Sequence, residues 1–374
     1  MAILVFIVFV LLIIYGGLIS FYHRSWNQLP LFAVTKAGRE EQVFVSVVIA
    51  VRNEAAHIQA LIRSLDQQQY PKDLFEIIII DDHSEDDTWR QLQEIADEAA
   101  HIVILKNKGE SKKKAIETGI HSSRGTLILT TDADCRFSPL WIRTIVSFYL
   151  LNDARCIAAP VAMDGASNLV GIFQTLDFLS MQGIAAAAVH KRFHMMGNGA
   201  NLAYEKKAFF EATGFEGIDK IPTGDDMLLM HKIYSLYPDK VFYLKSQDAI
   251  VTTVPEKTWK AFFRQRIRWA SKAIYYQDKR IFYVLWLVYL LNAGLGAIAI
   301  ACIWNTSWLF LLVLLILAKT IIEYPFVYSV AAFFRQQKLM KFFAVLQPLH
   351  ILYIIISGGM GRFGSYTWKN RKVK

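Results

Sequence analysis

The chain has 374 residues with a net charge of +9, and 54% of its residues are hydrophobic. The mean hydropathy of +0.30 is high for a soluble protein and predicts membrane segments beside a domain of ordinary size. The positive charge suits nucleic acid or an anionic membrane face equally. No interleaved array of basic and aromatic residues points to nucleic acid, so we expect no nucleic-acid partner. The three cysteines are scattered along the chain, which predicts neither a disulfide framework nor a zinc site.

The N-terminus is an almost unbroken apolar run over residues 1–21, long enough to span a bilayer. The alternative is a cleaved signal peptide, but the run lacks a basic start and a small-residue cleavage pattern. His23 and Arg24 follow directly, and positive charge on that side predicts that the next domain is cytoplasmic. We therefore expect residues 1–22 to be an uncleaved anchor with its N-terminus outside.

Strand and helix patterns alternate over residues 44–131. Strands are predicted at 44–49, 76–80, 102–105 and 126–131. Helices are predicted at 53–65, from a capping box at Ser84 and Asp87 to about Ala99, and at 112–122. This alternation predicts a mostly parallel sheet with helices on both faces, which is an α/β fold of Rossmann-like type.

Acidic residues follow several of these strands. The carboxyl ends of parallel strands meet at one edge of a sheet, where ligands bind. With one residue between them, Asp132 and Asp134 would leave the same side of an extended chain, and their oxygens suit Mg²⁺ or Mn²⁺. The alternative is a plain acidic turn. The five carboxylates expected at this edge are Glu54, Asp81, Asp82, Asp132 and Asp134.

The expected ligand for such an edge is a nucleoside diphosphate with its divalent ion, because that many carboxylates repel one another without a cation. The cations expected nearby are Arg52, Lys108 and Lys112. A glycine-rich dinucleotide motif after the first strand and a Walker A loop are both absent from the sequence.

Seven motifs then give a family resemblance. In chain order they are VSVVIAVRNE at 45–54, IDDHS at 80–84, KKKAI at 112–116, DAD at 132–134, GNGANLA at 197–203, TGDD at 223–226 and QRIRW at 265–269. This ordered set resembles a membrane-integrated family 2 glycosyltransferase of the GT-A fold. Two positions depart from the common pattern, Glu117 where many relatives have Asn and Leu228 where many have an acidic residue. These departures leave the donor and acceptor specificity open.

The resemblance implies roles for individual residues. Asp226 would be the catalytic base with Asp225 beside it, and Asp132 and Asp134 would hold the metal ion. The nucleotide-binding set would be Ala50, Arg52, Glu54, Asp81, Asp82, Lys112, Asp132, Gln265, Arg268 and Trp269.

Chemistry supports parts of this assignment independently. Asp226 lies between Gly224 and an apolar helical run, where a carboxylate is favoured, although a plain N-cap is an equal alternative for the acidic pair. Arg268 offers a fork of donors suited to phosphate, and Trp269 can stack on a sugar ring. The alternative for this segment is an amphipathic interfacial helix, and both interpretations can hold.

The C-terminal third is membrane-like. Residues 281–303 and 308–330 are predicted spans, with Glu323 expected to face protein or water. Residues 342–356 are barely long enough to span, so a full span and a re-entrant segment both remain open. A long helix over 167–192 is better explained by packing than by an acceptor groove.

We therefore expect four regions: an anchor at 1–22, a GT-A domain with interfacial helices at 40–280, membrane segments at 281–360 and a basic tail at 361–374. The expected function is an inverting glycosyltransferase that uses Mg²⁺ or Mn²⁺, with a UDP-sugar donor as the resemblance implies. The acceptor would be a membrane lipid or a glycan. The protein would be integral to a bacterial inner or plasma membrane, with its catalytic domain cytoplasmic. Alternatives are a processive polysaccharide synthase of the same family, a catalytically silent membrane scaffold and a nucleotidyltransferase.

Overall fold

A computed structural model describes residues 1–34, 43–98, 101–165, 167–219, 221, 224–271, 275–276, 278–363, 366–368 and 371–373. Thr223 of the TGDD motif, Ala99 at the expected end of the second helix, and Lys369 and Lys374 of the basic tail lie outside the described residues. The chain divides into two compact units. The sheet unit comprises residues 30–164 and 195–254, and the helical unit comprises residues 1–29, 165–194 and 255–374.

The elements are numbered in chain order. The helices are α1 Ala2–Gln28, α2 Ile58–Asp66, α3 Thr88–Glu98, α4 Lys112–Ser122, α5 Trp141–Asn152, α6 Leu169–His190, α7 Lys206–Glu211, α8 Met227–Leu236, α9 Trp259–Ala270, α10 Lys279–Ala301, α11 Leu309–Phe333 and α12 Gln347–Phe363. The strands are β1 Val45–Val51, β2 Phe75–Asp81, β3 Ile102–Lys106, β4 Leu127–Thr131, β5 Arg136–Phe137, β6 Cys156–Ala158, β7 Val161–Met163, β8 Leu202–Glu205, β9 Val241–Tyr243, β10 Val251–Thr253, β11 Tyr366–Trp368 and β12 Arg371–Val373.

The sheet unit is built on a seven-stranded sheet in the order β3-β2-β1-β4-β8-β6-β9. Strands β1 to β4 are parallel, whereas β8 runs antiparallel to both β4 and β6. A three-stranded sheet, β5-β10-β7, lies in the same unit. The predicted mostly parallel α/β architecture is confirmed.

The apolar strands explain both the core and the position of the site. Every residue of β2 and β4 is buried, as expected for parallel strands covered on both faces. In the register of the sheet, Val51 pairs with Asp81 and Ile49 pairs with Thr131. The carboxyl ends of β1, β2 and β4 therefore meet at one edge, and the polar residues that follow them emerge together.

Two helix starts differ from the expected ones. Helix α2 begins at Ile58 and not at Asn53, because Asn53 has a φ of +53°, a left-handed conformation that no α-helix accommodates. Helix α3 begins at Thr88, whose N–H donates to Asp86 Oδ1. The Ser84 hydroxyl instead accepts a hydrogen bond from the Asn53 N–H at 3.0 Å, so Ser84 joins two loops and does not cap the helix.

Among the described residues of the helical unit, four helices are long and apolar enough to cross a membrane. They are Ala2–Gln28, Leu169–His190, Lys279–Ala301 and Thr306–Phe333. The second of these, α6, is mostly buried inside the unit, which agrees with the packing interpretation. In the region expected to hold a further span, the helix begins at Gln347 and is 17 residues long, so it is not among these four.

The helical unit also buries charged side chains. Lys319 and Glu323 form an ion pair at 2.7 Å, one helical turn apart on α11. Gln347 bonds both of them, accepting from Lys319 at 2.8 Å and donating to Glu323 at 2.7 Å, and the Tyr15 hydroxyl donates to Glu323. Glu323 therefore faces protein, as its position in an apolar helix requires.

Residues 165–194 and 255–280 cluster with the terminal helices and not with the sheet. From the sequence we expected these segments to belong to the 40–280 region, as interfacial helices. The structural grouping follows from their composition, because α6 is apolar along most of its length and packs within the helical unit.

Candidate active site

Two consecutive carboxylates end β2 and start the loop after it. Asp81 and Asp82 are 4% and 2% exposed. The Asp82 side chain accepts from Asn107 Nδ2 at 2.7 Å and from the Ser111 N–H at 3.3 Å. Its carbonyl oxygen accepts from the Arg52 guanidinium at 2.9 Å. Asp82 thus connects the loops that follow β1, β2 and β3. Its hydrogen bonds hold these loops together at one edge of the sheet.

Asp81 is different, because half of its carboxylate lacks a partner. Its Oδ2 accepts from the Ser84 N–H at 3.3 Å, whereas its buried Oδ1 has no hydrogen-bond partner among the described residues. Leaving a buried acceptor unsatisfied costs about 1–3 kcal/mol. Such an atom at the end of a parallel strand is suited to accept an N–H from a bound ligand.

Lys112 connects two of the predicted acidic motifs. Its ammonium group lies 2.7 Å from Asp132 Oδ1 and 3.2 Å from Asp225 Oδ2. Burial lowers the pKa of Lys112, but the charges of Asp132 and Asp225 outweigh burial and leave that pKa above its ordinary value. Residues from three distant parts of the chain therefore meet around one cation.

Asp134 is the more buried carboxylate of the D-x-D motif. Its Oδ2 accepts a hydrogen bond from the Thr253 hydroxyl at 2.7 Å. Burial, and then the charge of Asp132, raises the pKa of Asp134, although the bond from Thr253 acts in the opposite direction. Burial is the larger cause and the neighbouring Asp132 the smaller one, and a cation bound between two such carboxylates would offset the repulsion between them.

Asp226, the predicted base, is the N-cap of α8. Its Oδ1 accepts from the Met227 N–H at 2.7 Å, and its Oδ2 accepts from the Gly199 N–H at 3.3 Å. The alternative expected for the acidic pair was a plain N-cap, without a choice between its two residues. The structure gives the cap to Asp226, and Asp225 contacts Lys112 instead.

The glycine/asparagine motif packs directly against this acidic pair. A Cβ atom on Gly199 would lie 3.4 Å from Asp225 Oδ2 and 3.5 Å from both Asp226 Cβ and Lys112 Nζ. A Cβ atom at this position would therefore make only ordinary van der Waals contact, so the main chain at Gly199 lies beside the three charged side chains without requiring a glycine there.

Ala50 and Glu54, also predicted to bind nucleotide, lie at the same end of β1. Ala50 is the penultimate residue of β1 and pairs with Ile80. The Glu54 N–H donates to the Thr88 hydroxyl at 2.8 Å, and its carbonyl accepts from the N–H groups of His57 and Ile58. These contacts fix the backbone of Glu54 at the edge of the sheet.

The remaining predicted residues, Gln265, Arg268 and Trp269, lie on α9 in the helical unit. Their roles toward a nucleotide stay predictions. Two members of this motif, Arg266 and Ile267, are buried. Arg266 is 2% exposed, pairs with Asp177 at 2.8 Å, and its guanidinium lies 4.2 Å from the Trp269 ring centroid.

Sequence reasoning missed Asn107 and Thr253. Asn107 follows β3 as Asp82 follows β2, so the same strand-end argument would have found it. Thr253 lies 119 residues from Asp134, at the end of the short strand β10, and no spacing signal indicates it.

The family pattern implies a divalent metal ion at the D-x-D motif. No group of three or more His, Cys, Asp or Glu side chains in the described part of the chain is arranged to hold a metal ion alone. Mg²⁺ and Mn²⁺, however, usually bind one or two carboxylates and complete their coordination with substrate phosphates and water. Asp132 and Asp134 fit that requirement, because both are oxygen donors and the charge of Asp132 is near enough to contribute to the raised pKa of Asp134.

Two protein-family models match this chain, and a solved structure shares its fold. The family model described as "Glycosyl transferase family 2" matches residues 46–186, and that described as "Glycosyl transferase family group 2" matches residues 127–358. The solved mannosyltransferase PcManGT from Pyrobaculum calidifontis, in complex with GDP-Man and Mn²⁺, superposes with a TM-score of 0.58 at 16% identity, covering 94% of this chain and 97% of that one. This likeness concerns the fold and confirms the predicted GT-A architecture.

Two curated relatives are similar over part of their length. The probable glycosyltransferase YdaM of Bacillus subtilis is 29% identical over 60% of this chain and 54% of its own length. The β-monoglucosyldiacylglycerol synthase of Trichormus variabilis is 24% identical over 70% of this chain and 60% of its own length. This chain thus spans somewhat over half the length of these relatives. Since the second family model covers more than half of the 374 residues, the chain belongs to glycosyltransferase family 2.

Proposed function

We propose that this chain is an inverting, metal-dependent glycosyltransferase that transfers a sugar from a nucleotide donor to a membrane lipid. The observation that carries the proposal is the bridge made by Lys112 between Asp132 of the D-x-D motif and Asp225 of the acidic pair. Donor-binding and acceptor-activating motifs thereby share one edge of the sheet.

The donor side of this edge suits a nucleoside diphosphate. The unsatisfied Asp81 Oδ1 offers an acceptor for a nucleobase N–H, which uracil and guanine both possess. Asp132 and Asp134 would hold the divalent ion, which when bound neutralises charge on the departing diphosphate. Lys112 adds a donor that can stabilise the same developing charge.

The acceptor side requires a base. In the step we propose, the Asp226 carboxylate takes the proton of an acceptor hydroxyl while the hydroxyl oxygen attacks the anomeric carbon. The bond between that carbon and the diphosphate oxygen breaks, and the nucleoside diphosphate leaves. Attack opposite the leaving group inverts the anomeric configuration. The two hydrogen bonds that Asp226 accepts, from the Met227 and Gly199 N–H groups, hold its carboxylate in place at the start of α8.

A lipid acceptor is supported by the helical unit and by one relative. Four helices are long and apolar enough to cross a membrane. The name of the Trichormus variabilis relative refers to a glucosylated diacylglycerol product. A hydroxyl-bearing membrane lipid is accordingly the acceptor class that we propose.

The test is sugar transfer by the purified full chain in detergent with Mn²⁺. Radiolabelled UDP- and GDP-sugars would be offered with a bacterial lipid extract. Asp226→Asn preserves shape but cannot accept the proton at neutral pH, so kcat should fall by about 10²- to 10⁴-fold. Donor affinity measured by calorimetry should stay near the parental value, because a base contacts the donor little.

Asp153→Asn is the matched control. Asp153 also belongs to the sheet unit, is exposed and pairs with Lys240 and Arg155, and its substitution should leave transfer unchanged. Parental activity in Asp226→Asn would show that Asp226 is not the base. A parent that binds nucleotide sugar but transfers nothing to lipid or glycan extracts would favour the silent scaffold.

We also propose that the sheet unit is cytoplasmic, from Arg24 near the C-terminal end of α1 and from the basic residues that follow α11. Glu94 on α3 is exposed and suits a reporter cysteine. In a Cys302→Ser background, Glu94→Cys should escape an impermeant maleimide in intact cells and react after permeabilisation. Efficient labelling in intact cells would reverse the orientation.

A further inference from the structure

The start of α4 carries three consecutive lysines, Lys112, Lys113 and Lys114. Positive charge is unfavourable at a helix N-terminus, where the helix dipole is itself positive. Residues that are unfavourable for their local structure, as these lysines are at a helix N-terminus, often mark a functional site. The three side chains have different environments, so each can be examined separately.

Lys113 is 4% exposed although it carries a charge. Its ammonium group donates to the carbonyl oxygen of Ile218 at 2.5 Å and to that of Ile221 at 2.6 Å. Burying an ammonium group is costly unless it is hydrogen-bonded, and these two carbonyls supply acceptors. The Ile221 N–H donates to the Ile218 carbonyl at 3.2 Å, so both acceptors of the lysine belong to one turn.

That turn leads directly to the acidic pair. Ile221 precedes Gly224 by three residues, and Gly224, with a φ of +86°, is followed by Asp225 and Asp226. On the far side, Asp225 bonds Lys112, the residue next to Lys113. Two adjacent lysines of α4 therefore hold the same segment at two places, one through its backbone and one through a carboxylate.

We infer that Lys113 is a positioning residue for the proposed base: it holds the backbone at Ile218 and at Ile221, and so constrains where the acidic pair that follows in the chain lies. This inference rests on the proposed function. Because these hydrogen bonds go to main-chain carbonyls, Lys113 acts on the reaction through the backbone. Misplacement of a catalytic group by about 1 Å can cost on the order of 10²-fold in rate.

The experiment compares Lys113→Met with Lys114→Met in the full chain in detergent. Lys114 is the matched control, because it is the next residue of the same helix but is half exposed, and its ion pair is with Glu117 on the same helix, while the charge of Asp219 has a smaller effect on it. Lys113→Met should lower kcat by about 10- to 100-fold and leave the KM for the nucleotide sugar within about twofold. Lys114→Met should leave both parameters unchanged.

Amide hydrogen exchange gives a readout that needs no substrate. Lys113→Met should speed exchange over residues 213–226 and leave the amides of β1 and β4 protected as in the parent. Lys113→Arg keeps donors for the two carbonyls and should recover part of kcat and of the protection. It also serves as the test variant if Lys113→Met does not fold.

Parental kcat and parental exchange in Lys113→Met would overturn the inference, as would an equal loss of protection in β4. A rise in donor KM without a fall in kcat would also overturn it, because the lysine would then act on donor binding. A parent that transfers no sugar refutes the proposed function, whereas the exchange data still decide whether Lys113 anchors the turn.

Discussion

The two units of this protein bury charged residues in opposite ways. In the helical unit, Lys319 and Glu323 neutralise each other, and Gln347 and Tyr15 complete their hydrogen bonds. At the edge of the sheet, carboxylates from the D-x-D motif and the acidic pair share one lysine, Lys112, and burial together with Asp132 raises the pKa of Asp134.

The two clusters differ in how their charges are compensated. Lys319 and Glu323 form a pair of one cation and one carboxylate, whereas two carboxylates share Lys112 at the edge of the sheet. A closed network inside apolar helices gains little from a further ion, and breaking it exposes an unpaired charge to a medium of low dielectric. Neighbouring carboxylates make the edge less stable than it could be, and a bound cation would relieve the repulsion between them. Composition alone would not distinguish these two clusters, since both are made of acidic and basic residues.

Breaking the closed network should have the largest effect on stability. Lys319→Met leaves the Glu323 carboxylate buried without its cation and should lower the free energy of unfolding by about 3–5 kcal/mol. The double variant Lys319→Met/Glu323→Gln removes both charges and should be clearly more stable than the single variant. Unfolding in detergent measures both, with the exposed Lys338→Met as control. Equal losses in the single and double variants would contradict a closed pair.

A smaller effect is expected at the open edge, on binding and not on stability. Thr253→Val keeps the shape of the side chain but removes the hydrogen bond to Asp134. Loss of a group that orients a metal ligand typically costs about 10- to 100-fold in metal affinity. Mn²⁺ affinity, measured by electron paramagnetic resonance in the presence of UDP or GDP, should fall within that range. Thr252→Val on the same strand is the control, and equal affinities for both variants would exclude a role for Thr253.

Much of the sheet unit, including the edge that gathers the acidic residues, can be predicted from the sequence. The strands β1 to β4 and their shared edge follow from apolar runs that end in polar residues, so Asp81, Asp82 and Asp132 could be assigned to one place. These signals are local and periodic, and the physics of parallel sheets supplies the rest.

The features that could not be predicted from the sequence depend on contacts between residues far apart in the chain. The bridge from Lys112 to Asp225 joins residues of separate motifs, and nothing in either motif indicates which carboxylate meets the lysine. The assignment of the helix cap to Asp226 and not to Asp225 depends on the left-handed backbone at Gly224. The predicted start of α2 was wrong for a similar reason, because the left-handed backbone of Asn53 prevents the helix from beginning there.

The most direct test of the account is calorimetric titration of UDP and GDP, with Mn²⁺ or with EDTA, into the parent and Asp134→Asn. If the edge is an open site, the parent binds a nucleoside diphosphate in a Mn²⁺-dependent manner. Asp134→Asn should lose that dependence while unfolding at the parental denaturant concentration or above it, because the substitution relieves repulsion. Equal nucleotide affinity in both proteins, with Mn²⁺ and with EDTA, would contradict the claim that these carboxylates form a metal–nucleotide site.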